Sequence, residues 1–115
     1  MAIPGRVARV SEAVKEALSE IVQEEVKDPR LGMVTITRVK MTADLRRARI
    51  WTSFLGGEEE RQLGLEVLER AKGGIRAELS RRVRLKFVPE LEFRWDTGLE
   101  EDLRIEGIMK ELKKD

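Results

Sequence analysis

Residues 33–55 read MVTITRVKMTADLRRARIWTSFL, and this stretch decides the fold. Its first nine residues are rich in β-branched side chains, which predicts a β-strand over 33–41. Residues 48–55 predict a second strand, because every second side chain falls on one face that can be buried. The link between the strands is short and contains the turn former Asp44, so we expect an antiparallel hairpin.

Helical stretches flank this hairpin on both sides. Before it, apolar residues recur at spacings of three and four, which predicts an amphipathic helix over 4–27 that ends before Asp28-Pro29. After it, a second apolar stripe continues to about residue 83 and passes through Gly73-Gly74. Two glycines inside a helix cost about 2 kcal/mol relative to alanine, so the pair predicts a bend that divides this stretch into two helices.

A third strand is predicted over 85–95, where apolar and charged side chains alternate, so that Leu85 and Phe87 are expected to face the core. Pro89 lies within it, which indicates an edge position or a bulge. The element order is then α-β-β-α-α-β, an α+β fold with a mostly antiparallel three-stranded sheet and the helices packed on one face. This order is similar to the type II KH arrangement, in which adjacent helices grip single-stranded nucleic acid. We therefore divide the chain into a KH-like RNA-binding domain, 1–98, and a C-terminal helical tail, 99–115.

The composition argues against most catalytic chemistry. The chain has neither Cys nor His, so disulfides, thiolate metal sites and the commonest general base are excluded. Its serines have no histidine to activate them, and no phosphate-binding glycine motif occurs. We expect a non-enzymatic protein without catalytic residues, metal or cofactor; a nuclease that holds metal with carboxylates is the alternative left open. Apolar runs are too short to span a membrane and no secretion signal is evident, which favours a cytoplasmic protein.

Positive charge is concentrated in parts of the chain, although the formal net charge is only +1. Charged residues make up 39% of the chain, well above the usual ~25%, and Asn is absent, which together suggest a thermophilic source. Segregated positive charge suits a polyanion such as RNA, whose phosphates arginine would contact. The residues that we expect to bind RNA are Arg6, Arg9, Arg46, Arg47, Lys72, Gly73, Gly74, Arg76, Arg81, Arg82, Arg84 and Lys86.

Each of these residues also has a structural interpretation. The basic run over 72–86 could be a solvated helix face with ion pairs, and Arg6 and Arg9 could pair with nearby acids. Arg46 and Arg47, at the tip of the hairpin, could carry charge for solubility alone. Gly73-Gly74 could allow tight packing of helices instead of letting backbone N–H groups approach a phosphate. Trp51 could stack on a base, but a partly buried role in the core is the better interpretation.

Several segments stand in a characteristic order and spacing. They are Arg6-Val7 with Leu18-Ser19, 28–31 (DPRL), 34–39 (VTITRV), Asp44-Leu45, 48–50 (ARI), 71–76 (AKGGIR) and 89–93 (PELEF) with Asp96. With them, over about residues 5–110, the chain resembles bacterial ribosome-binding factor A. The resemblance implies a KH-like type II fold and a non-enzymatic assembly factor whose partners are the small (30S) ribosomal subunit and its ribosomal RNA.

The resemblance also implies a role in late maturation of small-subunit ribosomal RNA, including processing of its 5′ end, and in growth in the cold. In this family an Ala-x-Gly bend replaces the Gly-x-x-Gly loop of other KH domains, and Ala71-Lys72-Gly73 matches it. Two other functions are open on the residues alone: a general single-stranded RNA-binding KH module, and a protein-interaction adaptor whose basic face meets an acidic partner. No spare apolar stripe is evident, which favours a monomer.

Overall fold

The structure is a computed structural model in which residues 3–98 are described. Two helices and three strands follow one another: α1 (Ile3–Glu25), β1 (Val34–Met41), β2 (Arg47–Phe54), α2 (Glu58–Arg82) and β3 (Glu90–Trp95). The predicted first helix and both hairpin strands are confirmed, with ends that differ by at most two residues. The tail predicted for 99–115 lies outside the described residues.

The apolar stripe of α1 is buried against the sheet and against α2. Val14, Leu18 and Ile21 have no exposed surface. The helix ends shortly before Asp28, whose carboxylate accepts hydrogen bonds from the backbone N–H and the guanidinium of Arg30 at 3.0 and 2.6 Å. These bonds lower the pKa of Asp28 to about 2.

The sheet is mixed, with strand order β1-β2-β3. β1 and β2 are antiparallel, as predicted, but β2 and β3 are parallel, so the expectation of a mostly antiparallel sheet is wrong for the third strand. The reason is that α2 crosses back over the sheet, as a helix between parallel strands does, and brings Glu90 opposite Arg47 at the start of β2. β3 lies at an edge, as Pro89 indicated, but it begins at Glu90, and residues 85–89 belong to the preceding loop.

α2 is one continuous helix of 25 residues, so the predicted bend at Gly73-Gly74 is wrong. Within the described residues the element order is therefore α-β-β-α-β. Large apolar side chains are buried on both sides of the glycine pair: Val67, Leu68, Ile75 and Leu79. Each such burial stabilises the fold by about 1.5–3 kcal/mol, and together they outweigh the roughly 2 kcal/mol that the two glycines cost.

The core lies between one face of the sheet and the two helices, as the sequence predicted. Ala48 and Ile50 of β2 and Leu91 of β3 face the helices and are buried. On the other face of the sheet, Trp51 is only 4% exposed, and the guanidinium of Arg38 lies 4.2 Å from the centre of its ring. Trp51 is thus buried rather than exposed to a base, as expected, but it lies on the face of the sheet away from the core cluster, under Arg38.

Candidate nucleic-acid interface

Three segments that are distant in the sequence meet at one end of the molecule. They are the first turns of α1, the hairpin turn with the first residue of β2, and the loop 83–89 between α2 and β3. We use the term basic end for the five exposed cations that these segments carry: Arg6, Arg46, Arg47, Arg84 and Lys86. All five belong to the predicted RNA-binding set, so the fold brings together residues up to 80 positions apart in the sequence.

Two grooves run through the basic end. Arg6, Arg84 and Lys86 line the first, and Arg46 and Arg47 line the second together with Lys86. One carboxylate lines each groove, from Asp44 and Glu90 respectively, but none of the five cations forms an ion pair with a carboxylate within residues 3–98. Their charge is therefore available to an outside anion, and a concave surface in which cations outnumber acids attracts polyanions over a distance.

The hairpin turn is held by hydrogen bonds to one carboxylate. Oδ1 of Asp44 accepts from Oγ1 of Thr42 at 2.7 Å and from the backbone N–H of Arg46 at 3.1 Å. The bond from Thr42, followed by that from Arg46, lowers the pKa of Asp44. Leu45 completes the turn with a φ of 61°, a value that non-glycine residues seldom adopt. This fixed turn projects the side chains of Arg46 and Arg47 from the tip.

Arg76 fixes the loop that carries Arg84 and Lys86. Its Nε donates to the carbonyl oxygen of Pro89 and its Nη2 to that of Val88, both at 2.9 Å. The backbone N–H of Glu90 then donates to the carbonyl of Arg46 at 2.8 Å, which joins the loop to the hairpin. Arg76 also lines the second groove, so it holds the interface in shape while it contributes positive charge there.

Phe87 lies between the two grooves and lines both. The guanidinium carbon of Arg46 is 3.9 Å from the centre of its ring, and Nζ of Lys86 is 5.6 Å away. The side chain is 39% exposed, so the expectation that it faces the core is wrong. The physical reason is that β3 begins at Glu90, and the strand alternation that would have turned Phe87 inward does not reach it.

The other predicted cations of α2 have carboxylate partners. Lys72 pairs with Glu69, and Nη1 of Arg81 lies 2.5 Å from Oε2 of Glu78. Arg82 contacts four carboxylates at 3.4–3.5 Å, which belong to Glu20, Glu24, Glu25 and Glu78. Partial burial lowers the pKa of Arg82, but these carboxylates, with Glu24 foremost, outweigh it and the net direction is upward. These contacts favour the ion-pair interpretation for this part of the basic run, and RNA contact there stays a prediction.

Comparison with known proteins identifies the family. The family model described as Ribosome-binding factor A matches residues 6–109. This chain belongs to the ribosome-binding factor A family. A Brevibacillus brevis ribosome-binding factor A is 40% identical over 107 residues, which cover 93% of this chain and 88% of that protein.

Solved structures of the family share the fold. The crystal structure of ribosome-binding factor A from Thermus thermophilus has 33% identity and a TM-score of 0.68, over 76% of this chain and 93% of that one. A homology model of the Thermus thermophilus factor, fitted into a cryo-EM map of a 30S–RbfA complex, has 33% identity and a TM-score of 0.63, over 76% and 91% of the two chains. The predicted family and the KH-like α+β fold are both confirmed.

The glycine pair of the family's Ala-x-Gly segment lies on the solvent side of α2. Gly73 and Gly74 are exposed, and a Cβ built on either would meet no neighbouring atom within 4 Å. The alternative that they permit tight helix packing is therefore wrong. Arg9 is exposed on α1 but does not line either groove of the basic end.

The structure also shows cations that the sequence analysis did not select. Lys40 and Arg49 lie directly opposite each other on β1 and β2 and, with Arg47 and Glu92, line a shallow groove on the open face of the sheet. Opposed like charges destabilise a strand pair, but Nε of Arg49 also lies 3.4 Å from Oε1 of Glu92, and this ion pair offsets part of the repulsion. The signal was present in the strand alternation, which places Lys40 and Arg49 on the face away from the helices.

Over residues 3–98 we find no group of three or more acidic side chains placed to hold a metal ion. No helix in that part of the chain is long and apolar enough to cross a membrane.

Proposed function

We propose that this protein is a non-catalytic assembly factor that binds the small (30S) ribosomal subunit and its ribosomal RNA. It assists late maturation of the small-subunit RNA, including processing of the 5′ end, and works in the cytoplasm as a monomer. The role in growth at low temperature belongs to the same proposal. Membership of the ribosome-binding factor A family supports it, as does the relative whose coordinates were fitted into a 30S complex.

The observation that carries the proposal is the basic end. Arg6, Arg84 and Lys86 come from elements at opposite ends of the sequence, converge on one groove, and have no carboxylate partner within residues 3–98. A folded RNA presents phosphates at closely spaced positions, and cations that neutralise them release bound counterions. Because Arg76 and Asp44 fix the loop and the hairpin turn, the backbone segments that carry these cations are ordered before the RNA arrives. Binding then orders less of the backbone and costs less entropy.

The test is a pelleting assay with purified small subunits at several salt concentrations. Arg84→Ala with Lys86→Ala should bind far more weakly, and its log–log salt slope should be flatter by about 0.7–0.9 for each lost phosphate contact. Both residues are exposed, so the free energy of unfolding should change by no more than about 0.5 kcal/mol each. The matched control is Lys27→Ala with Arg70→Ala, which removes the same charge from exposed positions outside both grooves. Equal binding by both double variants would refute the assignment of the basic end as the RNA-binding surface.

Maturation requires a separate measurement. In bacterial cells that lack their own ribosome-binding factor A, this protein should restore correctly processed 5′ ends of small-subunit RNA, as primer extension would show. The Arg84→Ala, Lys86→Ala variant should leave precursor ends in place, and the control double variant should not. If the wild type binds small subunits but precursor ends persist in its presence, the binding part of the proposal stands and the maturation part fails.

A further inference from the structure

The aromatic side chain that lines both grooves at the basic end suggests more than attraction to phosphates. We propose that Phe87 is a stacking platform for a single unpaired nucleobase of the bound RNA. This inference rests on the proposed function, since it names the class of RNA that the same surface recognises. It predicts that the protein distinguishes single-stranded nucleotides from duplex RNA at this end.

The ring of Phe87 is exposed although the fold offers apolar surroundings close by. Its neighbour Leu85 packs partly buried against the core, whereas Phe87 is 39% exposed and its ring is covered by the guanidinium of Arg46 at 3.9 Å. The part of the ring that stays in water is unfavourable unless a bound group covers it as well. Aromatic rings and arginine planes are the surfaces on which proteins stack unpaired bases, and this site places one of each side by side, 3.9 Å apart.

The surrounding loop holds the ring in place. The two hydrogen bonds from Arg76 to the carbonyls of Val88 and Pro89 fix the residues directly after Phe87. The bond from the N–H of Glu90 to the carbonyl of Arg46 fixes the ring relative to the arginine that covers it. A platform on a loop tied down in this way loses little freedom when a base docks on it.

The position of the ring also lets the protein discriminate between single-stranded and duplex RNA. Because Phe87 lines both grooves, a base on its ring would have cations on either side: Arg84 lines one groove and Arg47 the other. The phosphates before and after the stacked nucleotide can then meet positive charge on both sides. A duplex keeps its bases stacked on one another and offers only phosphates, sugars and base edges, so it can use the cations but not the ring.

The experiment compares Phe87→Leu with Phe87→Trp. Leucine keeps an apolar side chain of similar packing but has no aromatic face, whereas tryptophan keeps the face. Stacking on an aromatic side chain corresponds to a change of about 5- to 150-fold in affinity. We expect Phe87→Leu to weaken binding by that factor, to purified small subunits and to a single-stranded oligoadenylate. The salt slope should stay unchanged, because no charge is removed. Phe87→Trp should bind like the wild type, and its added emission should be quenched by the oligonucleotide.

The chain offers a matched control in Trp95. It is also 39% exposed and also lies under an arginine, Arg61, at 3.4 Å from the ring centre. However, it lies at the other end of β3, about 16 Å along the strand from the basic end. Trp95→Leu should leave the affinity for single strands unchanged, and all variants should leave binding to a perfectly paired RNA duplex of the same length unchanged. Melting curves confirm that each variant is folded.

The outcomes separate this inference from the proposed function. If wild type and Phe87→Leu bind small subunits and oligoadenylate equally well, the platform is refuted while the assembly-factor proposal stands. A loss of the same size on the duplex, or a changed salt slope, also overturns it, because the ring would then act only by positioning the cations. If the wild type ignores small subunits but binds the oligonucleotide through Phe87, the platform is supported and the proposed function fails.

Discussion

Replacing Gly73 and Gly74 by alanine should make the protein more stable. Both residues lie inside α2 without a positive φ, and an added Cβ would meet no neighbouring atom within 4 Å. Alanine is more favourable than glycine in a helix interior by about 0.8–1.0 kcal/mol, so the double variant should gain about 2 kcal/mol. In a domain of this size 1 kcal/mol shifts Tm by roughly 4–8 °C, so we expect a rise of about 8–16 °C.

Thermal unfolding followed by far-UV circular dichroism measures this change. The control is Gly64→Ala in the same helix, where an added Cβ would lie 2.2 Å from Cε2 and 2.5 Å from Cδ2 of Phe54. Overpacking of this kind typically costs about 1–3 kcal/mol, so that variant should melt at a lower temperature than the wild type. A lower Tm for the Gly73→Ala, Gly74→Ala variant would refute the continuous helix and restore the bend predicted from the sequence.

The same variant tests whether the glycines contact RNA. The two glycines destabilise the helix, and the structure shows no close packing that would require them. Glycine is also typical of places where a ligand approaches the backbone closely, because it has no side chain. We therefore expect the double alanine variant to bind purified small subunits more weakly although it is more stable. Unchanged affinity in the pelleting assay would show that the predicted RNA contact of Gly73 and Gly74 is wrong.

Three further predictions concern stability. Leu18→Ala should lower the free energy of unfolding by about 2–5 kcal/mol, because Leu18 has no exposed surface, and an unchanged denaturant midpoint would contradict this. Asp28 has a pKa lowered from 3.8 to about 2, so its stabilising effect is complete above pH 3.8 and is lost as the pH falls through 2. The Tm difference between wild type and Asp28→Asn should vanish over that window. Arg82→Ala should lower Tm in dilute buffer, and the difference should shrink in about 1 M NaCl, since salt screens exposed ion pairs; a salt-independent difference would point to lost packing instead.

The elements that could be predicted are those set by local patterns. The three-and-four spacing of α1 and the alternation of β2 depend on residues within one element, so both were placed to within two residues. The direction of β3 depends instead on where α2 ends relative to the sheet. The start of β3 depends on the hydrogen bond from the N–H of Glu90 to the carbonyl of Arg46. Alternation alone extended the strand back through Pro89 to Leu85. The intrinsic cost of the glycine pair predicted a break, but burial on both sides of the pair overrode it.

The candidate site could be predicted only as a list of charged residues. Sequence cannot show that Arg6 meets Lys86, because this depends on how α1 and the loop 83–89 pack at one end of the sheet. The sequence also could not show the role of Arg76. It is one of several basic residues in the run 72–86, but its guanidinium donates hydrogen bonds to two carbonyl groups of the loop. Phe87 was missed because alternation assigned it to the core.

The contrast between Arg82 and Arg84 shows how a chain with a net charge of only +1 can still present a strongly positive surface. Arg82 is surrounded by carboxylates, whereas Arg84, two residues later, lines a groove and has no such partner within residues 3–98. An ion-paired cation must give up its carboxylates before it binds a phosphate, so it gains little, while an unpaired one releases a counterion. The acids of α1 that hold Arg82 begin at Glu20, about 21 Å along the helix from Arg6. Because these acids neutralise Arg82, the excess positive charge lies at the basic end. The salt dependence of RNA binding should therefore come from the basic end and not from the basic run 72–86 as a whole.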